Sequence, residues 1–259
     1  MSRHAPAAIL AALSLGFMTN AGAVTVIGSA GTLGPNGVVT APPVGGPTYT
    51  WVSTFGGVLG GGLPYIVPGI NGGIGNTNGS ILRTDAFSAS AGDNLQFFFN
   101  YVTSDGAGFA DYAWARLLDP GLNEVALLFT ARTKGSGSII PGFGMPAPAA
   151  TLTPGSVPII GGAPLWGPLG AGSSGNCFSA GCGYTGWVQA DYSVVASGTY
   201  LVEFGVTNWS DMHYDSGLAF NAVTIASAPI STVIPVPAAA WLFGSALAGI
   251  ALLRRRVSS

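Results

Sequence analysis

Charge is what this sequence has least of. Only 7% of its 259 residues are Asp, Glu, Lys or Arg. Half of the basic ones sit at the ends, as Arg3 and the run Arg254, Arg255 and Arg256. Between them Arg83, Arg116, Arg132 and Lys134 stand against all ten acids, a balance of about −6. A nucleic-acid backbone or bare polyphosphate needs clustered cations to displace its counterions, so no nucleic-acid partner is expected. Histidine is nearly missing as well: beyond residue 23 only His213 remains. A His-rich metal site or paired-histidine catalysis therefore has no material to work with. No Gly-x-Ser-x-Gly elbow marks a nucleophile, and the chain is read as a non-enzyme, with a hydrolase built on His213 as the third-ranked alternative.

Amphipathic helical periodicity is also lacking. Gly (41 residues) and Pro (18) are interleaved with Phe, Trp, Tyr, Val and Ile, a mixture that favours short strands and turns over disorder. Leu95, Phe97, Phe99 and Tyr101 alternate with Gln96, Phe98, Asn100 and Val102, the period of a half-buried strand. Residues 112–118 and 124–131 flank Asp119-Pro-Gly-Leu-Asn123, the clearest hairpin in the chain. Further strand patterns fall at 49–55, 187–195, 200–207 and 218–225. Seven to nine strands predict an all-β fold, an antiparallel β-sandwich of jelly-roll type.

The domain plan is a signal peptide over 1–23, then a Gly/Pro-rich segment over 24–79 with one or two edge strands. The β-sandwich follows over 80–226, carrying a long Gly/Pro-rich insertion at 135–183; a linker at 227–234 leads to a tail at 235–257. In the signal peptide a short basic start and the apolar run 5–17 precede Ala21-Gly22-Ala23, a small-x-small site for signal peptidase. Cys177 and Cys182 are the only cysteines, and in an oxidising compartment they are expected to close a six-residue disulfide loop. Asp105, Asp111, Asp211 and Asp215 lie in loops beside Gly, Asn or Ser. Oxygen-rich loops of that kind can ligate Ca²⁺, and solvated turns are the alternative; no other cofactor is indicated. Trp166 and Trp209, with Trp187, stand near loops where a flat ring could stack on a sugar.

The tail has three parts: Pro235-Val236-Pro237, a charge-free run over 238–253, and Arg254 to Arg256. The prolines hold the preceding chain extended. Sixteen residues span about 24 Å as a helix, workable as a single transmembrane segment with snorkelling arginines on the cytoplasmic side. With Trp241, this pattern resembles the PEP-CTERM sorting signals. The resemblance implies recognition by a membrane-embedded exosortase, cleavage near the prolines, and delivery to the cell surface or an extracellular polysaccharide matrix, as in biofilm. Val236 stands where the eponymous motif has Glu.

The central stretch resembles a family of Gly-rich exported proteins through Phe99 to Gly108, Asp111 to Arg116 and Asp215 to Phe220, a family without an established activity. Its layout is also similar to carbohydrate-binding jelly-rolls, whose last strand reads Phe-Asp-Asn-Val where this chain has Phe220-Asn-Ala-Val223. The leading expectation is an exported surface or matrix protein of structural or adhesive role, inner-membrane-anchored as a precursor. Its rival is a lectin-like carbohydrate-binding module.

Overall fold

The computed structural model describes residues 23–59, 63 and 75–232. The signal segment up to Gly22 and the whole sorting tail from Val233 lie outside the described residues. Among the described residues no helix is long and apolar enough to cross a membrane.

The chain forms antiparallel β-sheets throughout, and two of them are large. The first contains β1 (Thr25–Ile27), β4 (Val58–Leu59), β5 (Asn76–Arg83), β6 (Phe87–Ala89), β8 (Tyr112–Leu118), β9 (Glu124–Arg132) and β16 (Gly198–Trp209). Its main order is β1-β5-β16-β8-β9. The second contains β2 (Ser29–Leu33), β3 (Tyr49–Ser53), β7 (Asn94–Thr103), β11 (Thr151–Thr153), β13 (Ile160–Gly161), β14 (Gly183–Tyr184), β15 (Val188–Ser193), β17 (Ser216–Ile225) and β18 (Ala228–Pro229). Its main order is β11-β15-β7-β17-β3-β2. A separate two-stranded ribbon pairs β10 (Ser138–Ile140) with β12 (Val157–Pro158).

The two large sheets pack face to face through the alternation seen in the sequence. From β7 the side chains of Leu95, Phe97 and Phe99 point into the shared core, as do Val202, Phe204 and Val206 from β16 and Leu218 and Phe220 from β17. Phe99 stacks on Phe129 at 3.7 Å between ring centroids, and Phe204 stacks on Phe220 at 3.9 Å. Phe97 meets Phe204 edge-on at 5.1 Å. Each of these pairs bridges the sheets, so the aromatic layer fixes both their spacing and their register.

Register shifts interrupt four pairings, β10–β12, β5–β16, β8–β9 and β7–β17. β17 carries one extra residue between Asn221 and Thr224 against β7, a bulge at which Ala222 takes a φ of 52°. The insertion at 135–183 holds short strands from β10 to β13 and the start of β14. Segment 24–79, expected to hold one or two strands, holds β1 to β4 and the first half of β5. β3 lies within the strand pattern at 49–55, while β1, β2 and β4, two to five residues long, are too short for alternation to register in the sequence.

The outer face of the first sheet is covered. Ile81, Tyr112, Trp114 and Leu127 form a second apolar cluster with Leu63. Beside it the carboxylate of Glu203 is buried and accepts from Arg83 Nε (2.9 Å), Arg116 Nε (2.6 Å) and Nη2 (3.1 Å), and Trp114 Nε1 (3.3 Å).

Candidate functional site

At one end of the sheets four loops meet. They are 104–111 between β7 and β8, 210–215 between β16 and β17, residues 54–57 after β3, and the disulfide loop before β14. The Cys177–Cys182 disulfide forms as the sequence predicts, with the two Cα atoms 5.6 Å apart. Its loop is pinned to the first: Phe178 N–H donates to the Ser104 carbonyl (3.0 Å) and Ala107 N–H to the Ala180 carbonyl (2.9 Å).

The sequence-predicted aspartates converge here. Asp105 is only 1% exposed. One of its oxygens accepts from the Gly106 N–H at 2.6 Å, while its Oδ2 is buried with no partner. Asp111, fully buried, accepts from the Trp209 N–H (2.8 Å) and the Ser216 hydroxyl (2.6 Å). Asp215 accepts from the hydroxyls of Thr54 (2.8 Å) and Ser173 (3.0 Å). Asp211 lies at the rim and accepts from the His213 N–H (3.0 Å). A chain of hydroxyls links the strands beneath: Ser216 Oγ lies 2.7 Å from Thr103 Oγ1 and, its own proton being given to Asp111, accepts there, while Thr103 Oγ1 accepts from the Asp105 N–H (3.1 Å).

Electrostatically the cluster is one-signed. Burial pushes the Asp105 carboxyl up to about 7, helped by the charges of Asp211 and Asp215 and opposed by the Gly106 N–H. Burial also raises Asp111, with the charge of Asp105 adding to it. Asp215 is raised by the same desolvation, against the pull of the Thr54 and Ser173 hydroxyls, its own backbone N–H and the Asn208 side chain. Among the described residues, ion pairs join Arg83 and Arg116 to Glu203 and Arg116 to Glu124, and none reaches these aspartates.

A cleft of about 310 Å³ opens onto the cluster, lined by Gly172, Ser173, Met212, His213, Tyr214 and Asp215. Ser173 spends its hydroxyl on Asp215, not on the imidazole. Beside the cleft, Phe178 is 47% exposed and packs on Phe109 (5.3 Å) and Tyr214 (5.2 Å). This aromatic rim was not singled out in the sequence; Phe178 inside the disulfide loop was the only available hint.

The tryptophans named for sugar stacking do not provide it equally. Trp166 is fully buried in the apolar cluster with Tyr49 and Leu169. Its indole N–H donates to the Tyr49 hydroxyl at 3.0 Å, so packing of the insertion against the second sheet has removed its face from solvent. Trp209 is half-buried, with the Arg132 guanidinium 5.4 Å over its ring. Trp187 is half-buried too, against Tyr49 at 5.8 Å.

No family model matches the chain, and no curated protein sequence matches it. Among solved structures, the chain is similar to the crystal structure of the enzymatically active domain of tailspike protein 4 of bacteriophage CBA120, at 13% identity and a TM-score of 0.31. The match covers 78% of this chain and 18% of the tailspike chain, so this chain spans less than a fifth of that protein's length. Likeness at that level carries nothing about function.

Proposed function

We propose that the chain is an exported surface or exopolysaccharide-matrix protein of structural or adhesive role, processed by an exosortase at its Pro235–Pro237 tail. One observation carries the reading: a disulfide, Cys177–Cys182, ties down the loop end of the molecule. Such bonds persist in oxidising, extracytoplasmic compartments and are rare in the cytosol. It agrees with the signal-peptide pattern before Ala23 and the sorting pattern around Trp241.

The sheet order also fits a jelly-roll. Taking β3, β5, β7, β8, β9, β15, β16 and β17 as first to eighth, one sheet runs second-seventh-fourth-fifth and the other sixth-third-eighth-first. That interleaving of two Greek keys is the jelly-roll arrangement, found in capsid and lectin domains alike.

A second reading, a carbohydrate-binding module, is favoured by Phe109 and Phe178 packed beside Tyr214, which lines the cleft. One exposed ring, Phe178, backed by the half-buried Phe109 and Tyr214, offers the flat face that sugar stacking requires.

The test is to tag the chain after residue 24 and at its C-terminus, then compare cells with and without the exosortase. The expected result is an extracellular product that keeps the first tag and loses the second only when the enzyme is present, and that takes up two alkyl groups only after reduction. A tail that stays attached in the presence of the enzyme refutes the sorting reading. Loss of polysaccharide retention in Phe178→Ala and Tyr214→Ala variants that remain folded would move the assignment to the carbohydrate-binding module.

A further inference from the structure

The outer face of the second sheet is divided. In one part Tyr49, Val102 and Ala219 are packed under Trp166 and Leu169 from the insertion. In the other part, over β15, β7 and the bulged end of β17, the face is half-exposed. Phe97 and Phe99 point into the core. Phe98 between them points outward, and among the described residues its half-buried ring belongs to none of the three apolar clusters. It is paired in register with Gln189 on β15 and with Asn221 on β17, and directly opposite residues of neighbouring strands share a face. A flat apolar ring therefore stands between two amides.

The same face continues along the strands, where Gln96 pairs with Asp191 and Asn94 with Ser193. The Asp191 carboxylate accepts from Gln189 Nε2 (2.6 Å), Gln96 Nε2 (2.8 Å) and Asn94 Nδ2 (3.0 Å). Desolvation would raise this carboxyl, and the three amide donors outweigh it and hold it below the usual carboxylate range. Each amide gives one N–H to Asp191, which leaves its second N–H and its carbonyl oxygen for a ligand. A regular strand would turn Asn221 and Thr224 to opposite sides. The bulge instead sets Asn221 beside Phe98 and Thr224 beside Gln96, through a left-handed backbone at Ala222, φ 52°. Strain kept at a bulge that re-aims a side chain calls for an explanation in function. Asn221 Nδ2 donates to the Val44 carbonyl (3.0 Å), and a cleft of about 360 Å³ opens there, lined in part by Val44, Gln96, Asn221 and Thr224.

We infer that this face, centred on Phe98 with Gln96, Gln189, Asp191 and Asn221 around it, binds a neutral glycan chain. A sugar ring presents an apolar C–H face to Phe98 and a rim of hydroxyls that both donate and accept, which matches amides and a carboxylate. From Gln189 to Asn221 is two interstrand spacings, about 10 Å, so the chain lies across the strands over more than one sugar. Other occupants fit less well. Asp191 is the only charged residue in β7, β11, β15 and β17, so an anionic polymer would meet repulsion with no Lys or Arg in these strands to offset it. An apolar protein patch would bury the amides and the carboxylate without partners. The inference rests on the carbohydrate-binding reading for the ligand class alone; the site is a different face from the Phe178 rim.

The experiment is native affinity electrophoresis of the full-length chain, in a non-glycosidic detergent, through gels containing hydroxyethyl cellulose, dextran or galactomannan, with alginate as the anionic control. Retardation by at least one neutral polymer and none by alginate is expected. Phe98→Ala should weaken the apparent affinity roughly tenfold and Gln189→Ala severalfold, while Phe178→Ala leaves it unchanged. Phe98→Ala and Gln189→Ala should melt within about 4 °C of the parent, since neither side chain lies in an apolar cluster. If Phe98→Ala melts lower than that, Gln189→Ala decides alone. The inference is overturned if alginate retards the parent as strongly as the neutral polymers, or if the folded variants are retarded like the parent. Binding lost in Phe178→Ala but kept in Phe98→Ala puts the glycan at the cleft, which sinks this inference and leaves the carbohydrate-binding reading standing. A parent chain retarded by none of the neutral polymers overturns both.

Discussion

Changing Glu203 to Gln tests how the first sheet tolerates charge. Glu203 sits in β16 between Arg83 on β5 and Arg116 on β8, paired in register with both. Its carboxylate takes one hydrogen bond from Arg83 and two from Arg116. Glutamine keeps the shape and one acceptor oxygen, so the indole of Trp114 can retain a partner. What it removes is the negative charge facing two guanidinium groups with side-chain exposures of 11% and 6%. Breaking a buried pair by removing one partner costs about 3–5 kcal/mol, because the remaining charge is stranded in low dielectric. With a urea m-value of roughly 3 kcal/mol/M, the midpoint should fall by about 1–2 M at unchanged m. Added salt should alter the loss little, since buried pairs are weakly screened. Combining Glu203→Gln with Arg83→Met and Arg116→Met should recover at least half of the loss, because apolar replacement of a whole buried ionic cluster is often neutral. A Glu203→Gln midpoint within about 0.3 M of the parent, on the order of 1 kcal/mol by that m-value, refutes the argument. So does a triple variant no better than the single one.

Two further outcomes follow from the geometry. At Gly205 a Cβ would collide with the Trp114 indole packed across it; Gly205→Ala should cost about 1–3 kcal/mol in urea unfolding, while Gly172→Ala, where a Cβ meets nothing within 4 Å, should stay within about 0.5 kcal/mol. In EDTA, stability should fall as pH rises from the ordinary carboxylate range through about 7, because Asp105, Asp111 and Asp215 are all raised by burial and hold protons in the folded chain that the unfolded chain has released; urea midpoints that climb over that interval would contradict it.

The parts of the fold legible in the sequence are those where alternation runs long enough to be counted. β8 has the bounds the sequence predicts, Tyr112–Leu118, and β9 ends one residue later, at Arg132. The core-facing set of β7 follows the alternation of Leu95, Phe97 and Phe99. β16 extends two residues past each end of its predicted span, to Gly198 and Trp209, since hydrogen-bonded partners continue after the apolar pattern fades. The short strands β10 to β14 were not legible. Two or three residues amid Gly and Pro carry no period, and their pairing is decided by partners distant in sequence, as where Ile160 and Gly161 meet Tyr184 and Gly183. The loop end was half legible. Asp next to Gly marked the acids, but nothing in the sequence marked the buried Asn208, because burial of a polar side chain depends on tertiary packing.

Glu203 shows what scarcity of charge can and cannot reveal. It is the only charged residue in β16, at a position whose neighbours in the pattern face outward, so the sequence alone would have placed it in solvent. The structure instead buries it with half of the basic residues available between the two ends of the chain. That choice has a consequence at the opposite place in the fold. With Arg83 and Arg116 committed to the outer face, and Arg132 and Lys134 gathered at Phe143, no Arg or Lys among the described residues is left to balance Asp105, Asp111 and Asp215. A folded chain carries such a cluster by keeping protons on it, which limits stability at neutral pH.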